Sequence, residues 1–286
     1  MSRNFAAILL NLDRDAERRI HMERELAQAG IAFTRQPGIL GNDVPADLRH
    51  FFYDANGDAL TTMKRGEIGC YASHLRALMR IAGGECGSAA LIMEDDLAIA
   101  PGALADIEEA IRQMPRGWDI LRLSSLPRRA YVPLAPIGTR RLLVRYSKIP
   151  NGAGAYLVTQ QGAQKFLTHG VRGLTFDDDL RRPWFHHMDT YGLMPPPMKP
   201  GMLPSTIDAV EGGRFDKPMS SRTERLMRGD HLYALKRLVY NVGNLGVGNW
   251  LACGFINLAD MVIKPVIRRS IIHGAAWLSP RARRRA

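Results

Sequence analysis

The 286-residue sequence predicts an α/β layered domain on a mainly parallel central sheet, extended by a helical, basic C-terminal segment. Short apolar runs alternate with stretches of helical period, the pattern of strands and helices in layers. Those runs lack the polar alternation of a strand with one wet face, so both faces should be covered. The extension rests on charge. From Lys217 onward there are 13 Lys/Arg against 3 Asp/Glu, a balance of +10, whereas residues 1–216 carry 26 against 25.

FAAILLNL (5–12) is the first strand. Asp13 is placed to cap the polar helix RDAERRIHMERELAQAG, which Gly30 stops. IAFTRQPGI supplies a second strand and turn, and residues 41–63 a loop containing Asn, Asp and Gly. In GEIGCYASHLRALMRIAGGE, Ile68, Tyr71, Leu75, Leu78 and Ala82 recur at helical spacing up to a Gly pair. AALIM is a strand, ALADIEEAIRQM a helix after Pro101-Gly102, and WDILRLSS another strand. A basic, proline-containing loop then runs to about residue 140. GAGAYLVTQQGAQKFL (152–167) reads as strand then helix, and GLMPPPMKPGMLPSTID as irregular chain. GGRFDKPMSSRTERLMRGD has linker composition. The expected division is a main domain at 1–215, a linker at 216–230 and the extension at 231–286. No repeat of 20–50 residues is visible.

Hydrophobic residues at 46% supply an ample core, and 23% charged residues argue against a disordered chain. The near-neutral body lacks the basic, aromatic-interleaved face of a nucleic-acid reader, so no nucleic-acid partner is expected. Cys70, Cys86 and Cys253 are odd in number and lack C-x-x-C spacing. That argues against a disulfide framework or a zinc site and suits a reducing compartment. The first apolar run is too short for a signal peptide and reads as a strand, so cytosolic synthesis is expected.

The stretch LIMEDDLAIAPG (91–102) sets Glu94, Asp95 and Asp96 side by side after a buried strand. Unpartnered burial of carboxylates is costly, so a positive group belongs there. If the strand continues, Glu94 and Asp96 point to one side and Asp95 to the other. Strand ends of open α/β sheets are ligand sites. Two hard oxygen ligands two residues apart suit Mg²⁺ or Mn²⁺ with phosphate oxygens completing the shell. A solvated acidic turn, or a cap for the next helix, fits the spacing as well.

LNLDRDAERR, GEIGCYASHLRAL, LIMEDD, GAGAYLVTQQGAQKFL and FDDDL occur in the order found in glycosyltransferase family 25, which the chain resembles over roughly residues 4–210. STID after the prolines is similar to a Ser-x-Ile segment near that domain's end. The resemblance implies a GT-A-like nucleotide-diphosphosugar fold, a metal-dependent UDP-sugar donor and an inverting hexosyltransferase. It implies a metal and diphosphate role for Glu94, Asp95 and Asp96, with Asp96 and Glu94 as ligands of Mn²⁺ or Mg²⁺. Asn11, Asp13 and Arg14 match the family's first-strand motif, and Glu67, Ser73 and His74 its helical one, both implying donor binding. Asp177 matches a later Asp where an inverting enzyme needs a base. Asp177, Asp178 and Asp179 are therefore catalytic candidates, and acids favoured by a helix dipole are the competing reading. Arg18 and Arg19 either reach phosphate or line a solvated helix face. Cys70 and His74 share a helix face, and His186 with His187 reads by default as a surface pair, with contact to metal or acceptor as the alternative.

The extension has no counterpart in the matched motifs. LVYNVGNLGVGNWLACGFINLADMVI (238–263) carries one charged residue, Asp260, but four Asn and four Gly keep it below a clear membrane span. Arg mixed with Ile and Trp beyond it suits an anionic membrane surface. A true span, and packing on the body or at an oligomer interface, are the other readings. The implied function is transfer of a hexose, with UDP-galactose the favoured donor, to a lipid-linked oligosaccharide of the lipopolysaccharide or lipooligosaccharide type. Its place would be the cytoplasmic face of the inner membrane, as a peripheral protein. A metal-dependent phosphodiester hydrolase and a non-catalytic, membrane-bound relative are the rivals.

Overall fold

The computed structural model describes residues 5–201 and 232–263, with side chains described to residue 260. The chain opens with β1 (Ala6–Asn11), α1 (Ala16–Gln28), β2 (Thr34–Pro37) and the short α2 (Ala46–Arg49). Then come α3 (Arg65–Ala82), β3 (Ala89–Met93), β4 (Leu97–Ile99), α4 (Ala103–Gln113) and β5 (Ile120–Arg122). β6 (Tyr131–Ile137), β7 (Arg141–Tyr146), β8 (Ala155–Thr159) and α5 (Gln160–Leu167) follow. After α6 (Phe176–Leu180) and α7 (Pro183–His186) come β9 (Thr190–Met194) and β10 (Met198–Pro200). Beyond residue 231 lie α8 (Tyr233–Leu245) and α9 (Val247–Ile263).

One eight-stranded sheet runs β2-β1-β3-β8-β5-β9-β7-β6, and β4 pairs with β10 in a separate ribbon. Six strands of the large sheet point one way and only β7 and β8 oppose them, as their antiparallel pairings show. The sheet is thus mainly parallel in direction. Its apolar runs serve two cores. Ile8, Leu10, Ala90 and Ile92 pack with α3, while Ala7, Leu9, Leu91 and Met93 pack with residues of α1 and α4. Burial on both sides explains why β1 and β3 lack alternation.

Three local expectations are corrected. The loop expected before residue 140 contains a hairpin, β6–β7, with a register shift between Pro133 and Ala135. Pro133 and Pro136 hid it, but β6 is the sheet's edge, where a missing N–H removes no ladder bond from a second neighbour. The irregular proline-rich stretch contains β9, buried throughout, and β10. Gly192 of β9 is required because any Cβ there collides with the Tyr146 hydroxyl. Asp13 does not cap α1. Asp15 holds the N-cap position without a side-chain capping bond, and Asp13 instead pairs with Arg35. Gly30, at φ +69°, does follow the helix end. The STID segment and the expected linker lie outside the described residues. No described helix is long and apolar enough to cross a membrane.

The acidic turn of α6 shows how one Asp run divides. Asp179 is buried and accepts from the Tyr71 hydroxyl (2.5 Å), His186 Nε2 (3.2 Å) and Arg172 Nη1 (3.4 Å). His186 is therefore a core residue, stacked on Phe166 at 4.3 Å, and the surface pair expected of His186 and His187 is corrected. Burial alone pushes the Asp179 carboxyl up, yet His186, Tyr71 and Arg172 more than offset it and hold it below its ordinary value. A depressed carboxyl contributes stability above its unfolded value, and that stability is lost as pH falls through the folded one. Asp179→Ala leaves Arg172 and His186 buried without their carboxylate, at a cost of about 3–5 kcal/mol. Urea unfolding at pH 7 measures it, and a loss below about 1 kcal/mol contradicts the cluster's role.

Candidate active site

The acidic triplet is assembled by strand register. β1 and β3 pair in parallel with Leu9 opposite Met93, so the next two residues bring Asn11 alongside Asp95. Asn11 Nδ2 donates to Asp95 Oδ2 (2.7 Å). Arg18, from the first turn of α1, donates through Nε to Asp95 Oδ1 (2.8 Å), and its Nη2 lies 3.1 Å from Asp96 Oδ2. Arg18 is the positive group that the triplet demanded, and both readings offered for it in the sequence were incomplete. On the other side of the strand, Glu94 Oε1 meets His74 Nε2 of α3 at 3.2 Å. His74 Nδ1 faces the Tyr156 hydroxyl (3.1 Å), and the ring stacks on Phe176 at 4.0 Å. His74 is fully buried, so Glu94 is held from a fixed point.

The expected alternation fails at Asp96. β3 stops at Met93 and the chain bends, so Asp96 shares Arg18 with Asp95 rather than standing apart from it. The bend leads into β4 and is tied by the Gly201 amide to the Asp96 carbonyl (2.5 Å).

A cavity of about 490 Å³ opens between the end of β1, residues 38–42, the start of α3 and the triplet. Its wall depends on close backbone approach. A Cβ at Gly69 would lie 2.5 Å from the Ile39 carbonyl oxygen, and one at Gly41 would collide with the Arg65 carbonyl. Ser73 Oγ accepts from the Ile39 amide (2.8 Å) and donates to the Gly69 carbonyl (2.8 Å), pinning that loop to α3. Of the sequence candidates, Asn11, Arg14, Ser73, His74, Glu94, Asp95 and Asp96 line the cavity. Asp13, Glu67, Asp177, Asp178 and Asp179 do not. Glu67 accepts from the Lys64 amide (2.9 Å) and closes the capping box of α3, a local role that its position three residues after Lys64 announces.

The three Asp residues of α6 separate clearly. Asp179 is in the core cluster and Asp178 pairs with Arg181 at 2.9 Å. Asp177 takes no side-chain hydrogen bond or ion pair among the described residues. Burial and then the charge of Glu94 raise its carboxyl, while Arg122 and His74 pull it back. Asp95 is raised by burial against the pull of Asn11 and Arg18. Asp96 is raised by burial and by Glu94, against Arg18. Arg122 is fully buried in β5, with Nε and Nη1 unpartnered. No local pattern in WDILRLSS marks it.

Burial is the first cause of the raised carboxyls of Asp95, Asp96 and Asp177, and the charge of Glu94 adds to it at Asp96 and Asp177. Both oxygens of Asp95 are taken, whereas Glu94 Oε2 and Asp96 Oδ1 have no partner among the described residues. That donor set fits a hard divalent cation. Cys70, His74 and Glu94 also offer ligand atoms within 4.8 Å of one another. Burial, then the charge of Glu94, pushes the Cys70 thiol well up.

Comparison with known proteins places the chain. The family described as glycosyltransferase family 25 (LPS biosynthesis protein) matches residues 5–179. The chain therefore belongs to glycosyltransferase family 25, and it is a glycosyltransferase built on the mainly parallel α/β sheet expected of it. No curated protein matches it. Among solved structures it is similar to a glycosyltransferase involved in glycosylation of the major capsid of PBCV-1, at 11% identity and TM-score 0.29. That match covers 56% of this chain and 61% of the other. It is also similar to a Drosophila beta-1,4-galactosyltransferase 7 in complex with manganese, UDP-Gal and xylobiose, at 10% identity and TM-score 0.37, covering 77% and 78%. An inositol-1-phosphate CTP transferase from T. maritima matches at 11% identity and TM-score 0.32, covering 78% and 75%.

Proposed function

We propose that the chain is an inverting, metal-dependent hexosyltransferase. It carries a hexose, galactose in the favoured case, from a UDP-sugar to a lipid-linked oligosaccharide of the lipopolysaccharide or lipooligosaccharide type. In this reading residues 1–215 are catalytic, and residues 231–286 attach the protein to the cytoplasmic face of the inner membrane. The observation that carries it is the acidic triplet lining one cavity, where burial raises the Asp95 and Asp96 carboxyls above their ordinary values.

Glu94 and Asp96 would hold Mn²⁺ or Mg²⁺, which supplies Lewis-acid stabilisation of a departing diphosphate. Asn11 and Arg18 fix Asp95, and through it the turn that presents those two side chains. His74, locked between Tyr156 and Phe176, orients Glu94. Arg14, half exposed at the cavity rim, is placed to meet phosphate. The acceptor hydroxyl attacks the anomeric carbon opposite the leaving UDP, and Asp177 takes the hydroxyl proton as the new bond forms. A carboxyl raised by burial is a stronger base than one in water, which favours that transfer. Asp178 and Asp179 are positioning residues in this scheme, holding α6 through Arg181, Tyr71 and Arg172.

The test incubates the protein with Mn²⁺, a panel of UDP-hexoses and lipopolysaccharide core acceptors, and reads product configuration by NMR. A β-linked product from an α-linked donor is the expected result, and an α-linked product contradicts inversion. UDP-sugar binding without transfer favours the non-catalytic relative, and phosphodiester cleavage needing no acceptor favours the hydrolase.

A further inference from the structure

Helices α8 and α9 carry their polarity reversed. The side of α8 that meets the body carries Tyr240, Asn241 and Asn244 beside one buried leucine, Leu245. Tyr240 donates to the Met188 carbonyl (3.3 Å), Asn241 Nδ2 donates to the Ser147 carbonyl (3.0 Å), and Asn244 accepts from Arg145. On α9, Asn257 Oδ1 accepts from the Ala130 amide (2.9 Å). The outward side is apolar, with Leu235, Leu238 and Val239 on α8 and Leu251, Phe255 and Leu258 on α9 between 38% and 74% exposed. A helix of a water-soluble domain ordinarily turns its apolar stripe to the core. Here asparagine anchors on the β6–β7 hairpin fix the opposite orientation, so the outward leucines cannot rotate inward without breaking those bonds.

We propose that this outward face docks on an anionic lipid surface, with Leu251, Phe255 and Leu258 entering the boundary between headgroups and acyl chains. Charge decides between occupants. From Lys217 onward the chain carries +10, while the rest of the body carries +1. A second copy would bring two such segments together, whereas anionic headgroups neutralise them. The site is also linked to the chemistry. Trp184 of α7 meets Tyr233 (5.3 Å) and Tyr240 (5.8 Å) of α8, and α7 directly follows α6 with Asp177. Docking would thus hold the acceptor side of the site near the lipid. The docking face specifies the membrane attachment proposed above and rests on that reading, while its link to the acceptor rests on the transferase chemistry.

The full chain is sedimented with phosphatidylcholine vesicles and with vesicles containing about 30% phosphatidylglycerol. Wild type is expected to favour the anionic vesicles, and Leu251→Asp/Phe255→Asp to lose roughly tenfold or more of that binding with helix content unchanged. Both residues are exposed, so the fold does not depend on them. Equal binding by wild type and variant overturns the proposal, as does a wild-type dimer without lipid that the variant abolishes. UDP release with a water-soluble acceptor is expected to be unchanged in the variant. Vesicle binding by a protein with no UDP-sugar turnover overturns the transferase reading and leaves the docking face standing.

Discussion

Asp177→Asn is expected to lower sugar transfer by roughly 100- to 10,000-fold while leaving UDP binding intact. Asp177 is the one acid of its run without a partner among the described residues, so its replacement breaks no fold contact. Its raised carboxyl adds a second signature. A carboxyl raised in the folded state binds more protons folded than unfolded, so stability falls as pH rises from the unfolded value through the folded one. Metal-free Asp177→Asn lacks that loss and should melt higher than wild type at pH 7. Lower activity with higher melting temperature separates a working base from a structural acid. Unchanged transfer contradicts the assignment.

Asp96→Asn and Glu94→Gln are expected to remove cation-dependent turnover by about 100-fold or more, the scale of several kcal/mol of charge stabilisation. Mn²⁺ binding, followed by electron paramagnetic resonance, should weaken in both. Asp95→Asn should behave differently. Both Asp95 oxygens are already held by Asn11 and Arg18, so the change loosens the turn and lowers stability as well as activity. Tight Mn²⁺ binding by all three variants contradicts the ligand assignment.

Much of this was legible in the chain because local pattern and burial agree in β1, α3 and β3. Apolar runs covered on both faces carry their own signal, and so does the helical spacing of Ile68, Tyr71, Leu75 and Leu78. The acidic triplet was visible for the same reason: three charges after a buried run conflict with their surroundings. Its partners were less legible. Asn11 and Asp95 are 84 residues apart, and only strand register brings them together. Telling Asp177 from Asp179 requires Tyr71, 108 residues away from Asp179. The β6–β7 hairpin was hidden because Pro133 and Pro136 signal a break, and only its edge position makes them harmless. In α8 the asparagines read as features weakening a membrane span, yet they are the contacts that seat the helix on the body.

The central claim is that the carboxylates closing β3 form a cation-dependent diphosphosugar site. Its most direct test is UDP release from UDP-galactose as Mn²⁺ is titrated into chelator-treated protein, wild type beside Asp96→Asn. The rate is expected to rise with Mn²⁺ in wild type and to be about 100-fold or more lower in the variant. Equal turnover in the two proteins, or a wild-type rate indifferent to Mn²⁺ and Mg²⁺, would contradict it.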